Sequence, residues 1–320
     1  MKRPYVFITR KLKEELLTPL FEMADVKMWD SESEAVPREI LMKEAQKATA
    51  LLTMLSDKVD KELLEQAPNL KVVANLAVGY DNIDVKVASE RGVIVCNTPD
   101  VLTETTADLT FALMLATARR ITEAQGFVKE GRWQSWSPFL LAGADVHHKT
   151  LGIVGMGKIG QAVARRAKGF GMEILYHNRS RHMEAEQEVG ASYRSFEQLL
   201  AESDFVVCLT PLTDETKHLF DHDAFKRMKN SAFFINVGRG QVVDEEALIV
   251  ALNSDEIAGA GLDVFYAEPI GSDHPLLRFP QVVAIPHIGS ASVETRETMM
   301  KLCRDNIVAV IQGNKAKTVI

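Results

Sequence analysis

Three charged residues each follow a short apolar run. Arg239 stands in Asn236-Val-Gly-Arg-Gly240 after Ala232–Ile235, Glu268 in Leu262-Asp-Val-Phe-Tyr-Ala-Glu-Pro269, and His287 in Ala284-Ile-Pro-His-Ile-Gly-Ser290. Bounded apolar runs of this length read as buried strands. Open α/β sheets carry their chemistry at the carboxyl ends of such strands. A carbonyl carbon that accepts a hydride leaves negative charge on its oxygen, and that oxygen needs a proton donor. Histidine, which titrates near neutrality, suits the task. A neighbouring Glu favours the protonated ring, and Arg grips a carboxylate beside the carbonyl through a charge-assisted fork. On spacing alone the trio is equally a set of solvated strand ends.

A glycine-rich turn adds a second constraint. Thr150-Leu-Gly-Ile-Val-Gly-Met-Gly-Lys-Ile-Gly160 contains G-x-G-x-x-G as Gly155, Gly157 and Gly160, after an apolar strand and before a helix over 161–168. The first glycine permits a tight turn, the second lets backbone approach a pyrophosphate, and the third allows close helix–strand packing. The anion then sits at the helix N-terminus. The same stretch nearly spells a P-loop, but Ile159 occupies the place of the Ser or Thr that must reach magnesium, which excludes the nucleotide triphosphatase reading. The next strand ends Tyr176-His-Asn-Arg-Ser-Arg181, with no acid to accept hydrogen bonds from a ribose diol. Two guanidinium groups there favour a 2′-phosphate, hence NADP(H) over NAD(H). The competing view is that Arg179 and Arg181 are solvated loop charges.

The elements that must position these groups alternate along the whole chain. Strands are expected at 5–9, 50–54, 71–77 and 93–97, with helices at 11–24, 60–67 and 84–91. Such alternation implies crossover units and a parallel sheet. At Asn97-Thr98-Pro99-Asp100 the pattern changes, and a long apolar helix follows over 101–119, then an irregular stretch over 134–146 with Trp136 and Pro138. A second series has strands at 151–155, 173–178, 205–210, 232–237, 259–264 and 282–286. A final helix over 291–312 follows Pro286. The expected fold is α/β with two doubly wound parallel-sheet domains. A dinucleotide-binding domain, 99–288, is inserted into a flavodoxin-like substrate domain made of 1–98 and 289–320.

Composition narrows the class. The 320 residues carry a net charge of −7, with 37 Lys+Arg against 44 Asp+Glu, which argues against nucleic acid as a partner. No apolar stretch approaches the roughly 20 residues that span a bilayer, and the start turns polar too soon for a signal peptide. Cys96, Cys208 and Cys303 lie far apart and suggest inert core thiols rather than a disulfide framework. A cytoplasmic protein is expected.

The motifs GMGKIG (155–160), NVGRG (236–240), GLDVFYAEP (261–269) and PHIGS (286–290) resemble those of the D-2-hydroxyacid dehydrogenase family over essentially the full chain. LLTMLSDKVD (51–60), AVGYDNID (77–84) and NTPDVLTETTADL (97–109) make it most similar to the glyoxylate/hydroxypyruvate reductases within that family. The resemblance implies that Arg239 binds the substrate carboxylate and carbonyl, that His287 is the acid/base, and that Glu268 is its carboxylate partner. It places Leu55 and the N–H groups of Val78 and Gly79 at the substrate. It places Thr106, Gly155, Met156, Gly157, Lys158, Ile159, Gly160, Asn178, Arg179, Ser180, Arg181, Leu209, Thr210, Pro211, Val237, Gly238, Asp263 and Gly289 at the cofactor, together with Arg239 and His287. It further implies a small 2-oxoacid substrate and a homodimer formed through the cofactor domain.

Other signals weigh less. His218 and His222 have the i, i+4 spacing of two metal ligands, but no third ligand converges and no metal is expected. His147-His148 read as a surface turn, Trp133 and Trp136 as aromatic anchors in a dimer contact or core, and Met299-Met300 as packing. The readings that remain are an NADPH-dependent glyoxylate and hydroxypyruvate reductase, a 2-ketogluconate reductase of the same family, and a dinucleotide-sensing binding protein without turnover.

Overall fold

A computed structural model describes residues 3–320. The chain forms two compact units, one of residues up to Leu102 together with Ala291–Ile320, the other Thr103–Ser290. The helix that starts at Thr103 lies wholly in the second unit, so the division falls a few residues beyond the expected 98 and 288.

The first unit is a five-stranded parallel sheet of β1 (Tyr5–Ile8), β2 (Asp25–Met28), β3 (Ala50–Thr53), β4 (Val72–Asn75) and β5 (Ile94–Cys96), in the order β2-β1-β3-β4-β5. This is the flavodoxin-like doubly wound order. The helices α1 (Thr18–Met23), α2 (Arg38–Ala45), α3 (Lys61–Glu65) and α4 (Val85–Glu90), with the C-terminal helix Val293–Ile311, complete the unit. Phe7, Leu51 and Val73 are fully buried at its centre. Strands buried on both faces read as continuous apolar runs, which is why β1, β3, β4 and β5 were expected. The edge strand β2, Asp-Val-Lys-Met, has no such run, because its alternate residues are exposed. The single helix expected over 11–24 is a 3-10 turn, Glu14–Leu16, followed by α1. Pro19 cannot donate an N–H within a continuing helix but fits a first turn.

The second unit has seven parallel strands: β6 (Thr150–Val154), β7 (Glu173–His177), β8 (Ser192–Tyr193), β9 (Phe205–Cys208), β10 (Phe233–Asn236), β11 (Gly259–Leu262) and β12 (Val282–Ala284). Their order, β12-β11-β10-β9-β6-β7-β8, is the Rossmann order with one strand added at the β11 edge. Six strands were expected. The seventh, β8, is two residues long and too short to form a pattern. The helices of this unit are α5 (Thr103–Ala118), α6 (Ile121–Lys129), α7 (Lys158–Gly169), α8 (Met183–Val189), α9 (Phe196–Glu202), α10 (His222–Arg227) and α11 (Glu245–Asn253). Helix α5 buries Ala107, Phe111, Met114 and Ala118 in the same cluster as Leu151, Ile153 and Ile235 of the sheet.

The register of this sheet sets the positions of the loops. His177 pairs with Val154, Val154 with Cys208, Cys208 with Asn236, Asn236 with Leu262, and Leu262 with Ala284. One level row therefore crosses six strands. The residues that come directly after it are Asn178, Gly155, Leu209, Val237, Asp263 and Ile285.

Candidate active site

The glycine turn opens directly above that row. Gly155 adopts φ +105 and donates its N–H to the His177 carbonyl at 3.0 Å, and a Cβ there would stand 2.9 Å from the Leu209 carbonyl carbon. Met156 N–H donates to the Asn178 side-chain oxygen at 2.7 Å. Gly157 caps α7, with open space where a Cβ would be, so backbone and helix N-terminus remain approachable. Lys158, Ile159 and Gly160 form the first turn of α7. A twelve-residue helix opening with such space fits the pyrophosphate of a dinucleotide.

Neighbouring loops close around the turn. Gly238 lies against Thr210, whose carbonyl oxygen would be 2.8 Å from a Cβ at Gly238. The Asn236 side chain accepts from Gly238 N–H at 3.0 Å and donates to the Arg239 carbonyl at 3.1 Å. Pro211 is exposed, and its carbonyl accepts from the Thr216 hydroxyl at 2.7 Å. Gly289 sits within 3.6 Å of Val237, Thr106 and Asp263, measured from its would-be Cβ. Four residues expected at the cofactor thus converge from α5 and the β10, β11 and β12 loops.

The trio is assembled within the same unit. His287 Nδ1 is 2.7 Å from Glu268 Oε2, and Glu268 Oε1 accepts the Phe265 N–H at 2.9 Å. With Nδ1 bound to a carboxylate, Nε2 is the nitrogen left to face a ligand. Burial works against ionisation of Glu268, but the His287 hydrogen bond and charge, the Phe265 N–H and the Arg239 charge together hold its carboxyl below the usual value. Arg239 donates to the Gly238 carbonyl at 3.0 Å. The next residue must be glycine, since a Cβ at Gly240 would lie 1.8 Å from the Phe265 carbonyl oxygen. That close approach brings the Arg239 turn against the segment carrying Glu268.

Asp263 fixes the His287 loop. Its carbonyl accepts from His287 N–H at 2.9 Å, and its carboxylate accepts from Ile288 and Gly289 N–H at 2.6 and 2.9 Å. His287 is held at φ +52, a left-handed conformation costly for a residue with a Cβ. Burial pushes the Asp263 carboxyl up to about 6, with Glu268 adding to the rise, while the two N–H groups and His287 oppose it.

Of the two arginines expected at a phosphate, only Arg181 is held in an ion pair. Arg179 and Ser180 are exposed, and Arg179 makes no hydrogen bond or ion pair among the described residues. Arg181 donates from Nε and Nη2 to the two oxygens of Glu186, at 2.6 and 2.7 Å. The Tyr176 hydroxyl donates to the same carboxylate at 2.7 Å and accepts from His182 N–H at 2.8 Å.

In the first unit, the residues expected at the substrate follow β3 and β4, which are neighbours in the sheet. Leu55 rides on a turn in which Met54 N–H donates to buried Asp57 at 2.7 Å. Thr9 also bonds Asp57, Arg10 lies 3.7 Å from it, and Asn82 donates to the Met54 and Asp57 carbonyls at 3.1 and 2.9 Å. Asn97 and Asn75 bind the carbonyls of Val78 and Gly79, each at 2.9 Å. Among the described residues, the N–H groups of Val78 and Gly79 donate to no backbone carbonyl. Adjacent backbone N–H groups left without a carbonyl partner are of the kind that can take an anion.

Sequence reasoning missed Asn75, Asn97 and Asn236, which carry one available signal: each ends or follows an apolar strand with a side chain able to bond backbone. Asp57, Asn82 and Glu186 carry none. His218 lies in a left-handed turn and His222 opens α10, whose cap is Asp221, so the two do not share a helical face. Trp133 and Trp136 are 60% and 79% exposed, which excludes the core alternative.

A fold with this order and a site with this convergence define a dinucleotide-dependent dehydrogenase. Residues 111–289 match the family model described as D-isomer specific 2-hydroxyacid dehydrogenase, NAD binding domain. The chain belongs to that family. It is 50% identical to the glyoxylate reductase of Pyrococcus horikoshii over 99% of this chain and 96% of that protein. It is likewise 50% identical to the glyoxylate reductase of Thermococcus kodakarensis, over 99% and 96%. Among solved structures, a Thermus thermophilus protein superposes with a TM-score of 0.92 at 41% identity, covering 99% of both chains. The NADPH-dependent glyoxylate/hydroxypyruvate reductase of Sinorhizobium meliloti, in complex with NADP and malonate, gives 0.87 at 35% identity, covering 100% of this chain and 97% of that one.

One prediction concerns Asp263. A carboxyl whose folded value is raised from 3.8 to about 6 contributes its stability at low pH and loses it as pH rises through 6. The stability advantage of wild type over Asp263→Asn should therefore shrink between pH 4 and pH 7 in urea unfolding, most of the loss falling between the ordinary value of 3.8 and about 6. An advantage that grows over that range would contradict the assignment.

Proposed function

We propose that this chain reduces small 2-oxoacids with NADPH, taking glyoxylate to glycolate and hydroxypyruvate to D-glycerate. The observation that carries the reading is the 2.7 Å His287–Glu268 pair, set in the same unit as the glycine turn and the Arg239 loop. The relatives named as glyoxylate and glyoxylate/hydroxypyruvate reductases support the substrate class. A reduced nicotinamide dinucleotide bound above the Gly155–Gly160 turn would supply a hydride to the carbonyl carbon.

The residues of the chain do the rest. Arg239 grips the carboxylate and polarises the adjacent carbonyl. His287 gives a proton from Nε2 to the carbonyl oxygen as charge develops there, forming the hydroxyl. Glu268, ionised and hydrogen-bonded at Nδ1, stabilises the protonated ring and fixes its orientation. The N–H groups of Val78 and Gly79 hold the substrate carboxylate, with Leu55 on the adjoining turn. In the oxidative direction the same proton returns to His287.

Cofactor choice rests on the loop after β7. Asn178 stands where an NAD site places an acid, and its side-chain oxygen is occupied by the Met156 N–H. No carboxylate at that position repels a 2′-phosphate, and exposed Arg179 is free to pair with one. A homodimer through the cofactor unit is part of the same reading. Helix α6 buries none of its residues, and Trp133, Trp136 and Phe139 beyond it are 60%, 79% and 86% exposed, a surface suited to a second copy. Three free, buried thiols suit a reducing cytoplasm. The 2-ketogluconate reductase reading shares every catalytic residue.

Three outcomes test this. In a steady-state panel of 2-oxoacids with NADPH and NADH, His287→Ala should lower kcat on glyoxylate by about 10²–10⁴-fold while NADPH affinity changes little; near-normal turnover removes His287 from the mechanism, and a preference for 2-ketogluconate selects the rival. Asn178→Asp keeps the acceptor for Met156 N–H but adds a charge, so kcat/KM with NADPH should fall at least about tenfold (one bidentate charge-assisted contact,) and that with NADH should hold or rise. Light scattering should give twice the 35.5 kDa chain mass; a monomer mass at micromolar concentration would exclude the dimer.

A further inference from the structure

Glu186 has no part in the mechanism above, yet it is among the most heavily bonded carboxylates of the cofactor unit. Its two oxygens take the Arg181 fork at 2.6 and 2.7 Å, and Oε1 also takes the Tyr176 hydroxyl at 2.7 Å. Tyr176 in turn accepts the His182 N–H at 2.8 Å, which ties the cluster to the backbone of the loop carrying Asn178, Arg179, Ser180 and Arg181. These contacts hold the Glu186 carboxyl down at about 2, led by the Arg181 and Tyr176 hydrogen bonds, so it is ionised throughout the physiological range.

From this geometry we infer that Glu186 is a cofactor-specificity residue: it holds Arg181 in an internal ion pair and so limits how strongly the loop prefers a 2′-phosphorylated dinucleotide. The inference rests on the NADPH reading above. Arg181 and Glu186 together carry no net charge, and the Nε/Nη2 edge, which matches a phosphate bidentately, is already bonded to the carboxylate. A 2′-phosphate adds about −1.5 to −2 charges. It meets one unengaged guanidinium, Arg179, and one that must first leave Glu186. Removing the Glu186 charge releases Arg181 and makes the loop one charge more positive. Both effects act on the 2′-phosphate and leave the rest of the dinucleotide untouched.

The test is a double-mutant cycle read by fluorescence titration of the full chain with NADPH and with NADH. Glu186→Gln preserves shape and an acceptor for Tyr176, and should raise the NADPH-to-NADH affinity ratio at least fivefold. Arg181→Ala alone should change the ratio less than twofold, and in the Glu186→Gln background it should cancel the gain. Glu184→Gln, which neutralises an exposed acid on the same helix, controls for nonspecific charge and should move the ratio less than twofold. A ratio unchanged or lowered by Glu186→Gln overturns the inference, as does a large loss from Arg181→Ala alone, which would make Arg181 a phosphate ligand in the wild type. A wild type with no preference for NADPH, or an Arg179→Ala variant with an unaltered ratio, overturns the NADPH reading instead. In that case the response to Glu186→Gln still reports on the ion pair.

Discussion

The level register of the seven-stranded sheet is the constraint on which the site depends. Parallel strands paired without offset end together, so the six residues that leave the row at His177, Val154, Cys208, Asn236, Leu262 and Ala284 begin six loops at one height. A two-residue slip of β11 against β10 would keep every side chain on its face, yet it would move Glu268 by about 7 Å along the strand axis at 3.3 Å per residue. The Glu268–His287 hydrogen bond and the approach of Gly240 to Phe265 both require the observed register. Glycines at 259 and 261 of β11 serve the same end, since they let the backbone and α5 pack closely around this part of the sheet.

Above the strand ends, side-chain hydrogen bonds to backbone replace the ladder as the organising force. Asn236 binds both the Gly238 N–H and the Arg239 carbonyl, and Asp263 binds the N–H groups of two successive residues after His287. Asn75, Asn82 and Asn97 do the same work in the first unit. Loops without secondary structure must satisfy their buried polar groups somehow, and a short amide or carboxylate at the strand end does so with little side-chain freedom to lose. The cost appears at Asp263, whose burial raises its carboxyl well above the ordinary range, and at His287, held in the left-handed region.

The legibility of the sequence is explained by these forces. Strands covered on both faces declare themselves as apolar runs and the glycine turn declares itself by spacing, whereas the strand-end trio is singled out only with the family motifs around it. The edge strands β2 and β8 were not legible, one because alternate residues face solvent and the other because two residues form no pattern. Nor was the partition of the arginines. Arg179 and Arg181 are chemically equivalent on paper, and only the three-dimensional return of α8 toward β7 places Glu186 on one of them. The loop-pinning residues of the first unit were likewise silent, since Asp57 and Asn82 sit in polar stretches that resemble ordinary turns.

The distribution of ion pairs then distinguishes kinds of positive charge within a chain that is acidic overall. Arg181 is neutralised by Glu186. Arg239 feels Glu268, which shares its field with His287, so the three groups carry one net positive charge when the ring is protonated and none when it is not. If the trio acts as proposed, an anionic substrate is drawn most strongly to the state that can donate a proton. On the proposed mechanism, release of the proton to the product weakens the attraction for the product carboxylate at the same moment. Arg179 makes no such ion pair; the acid that feels its charge is Glu215, which takes no part in the proposed proton transfer. The group proposed to bind and release substrate in each turnover is thus coupled to a proton-transferring partner, whereas Arg179, proposed to recognise the cofactor, is not.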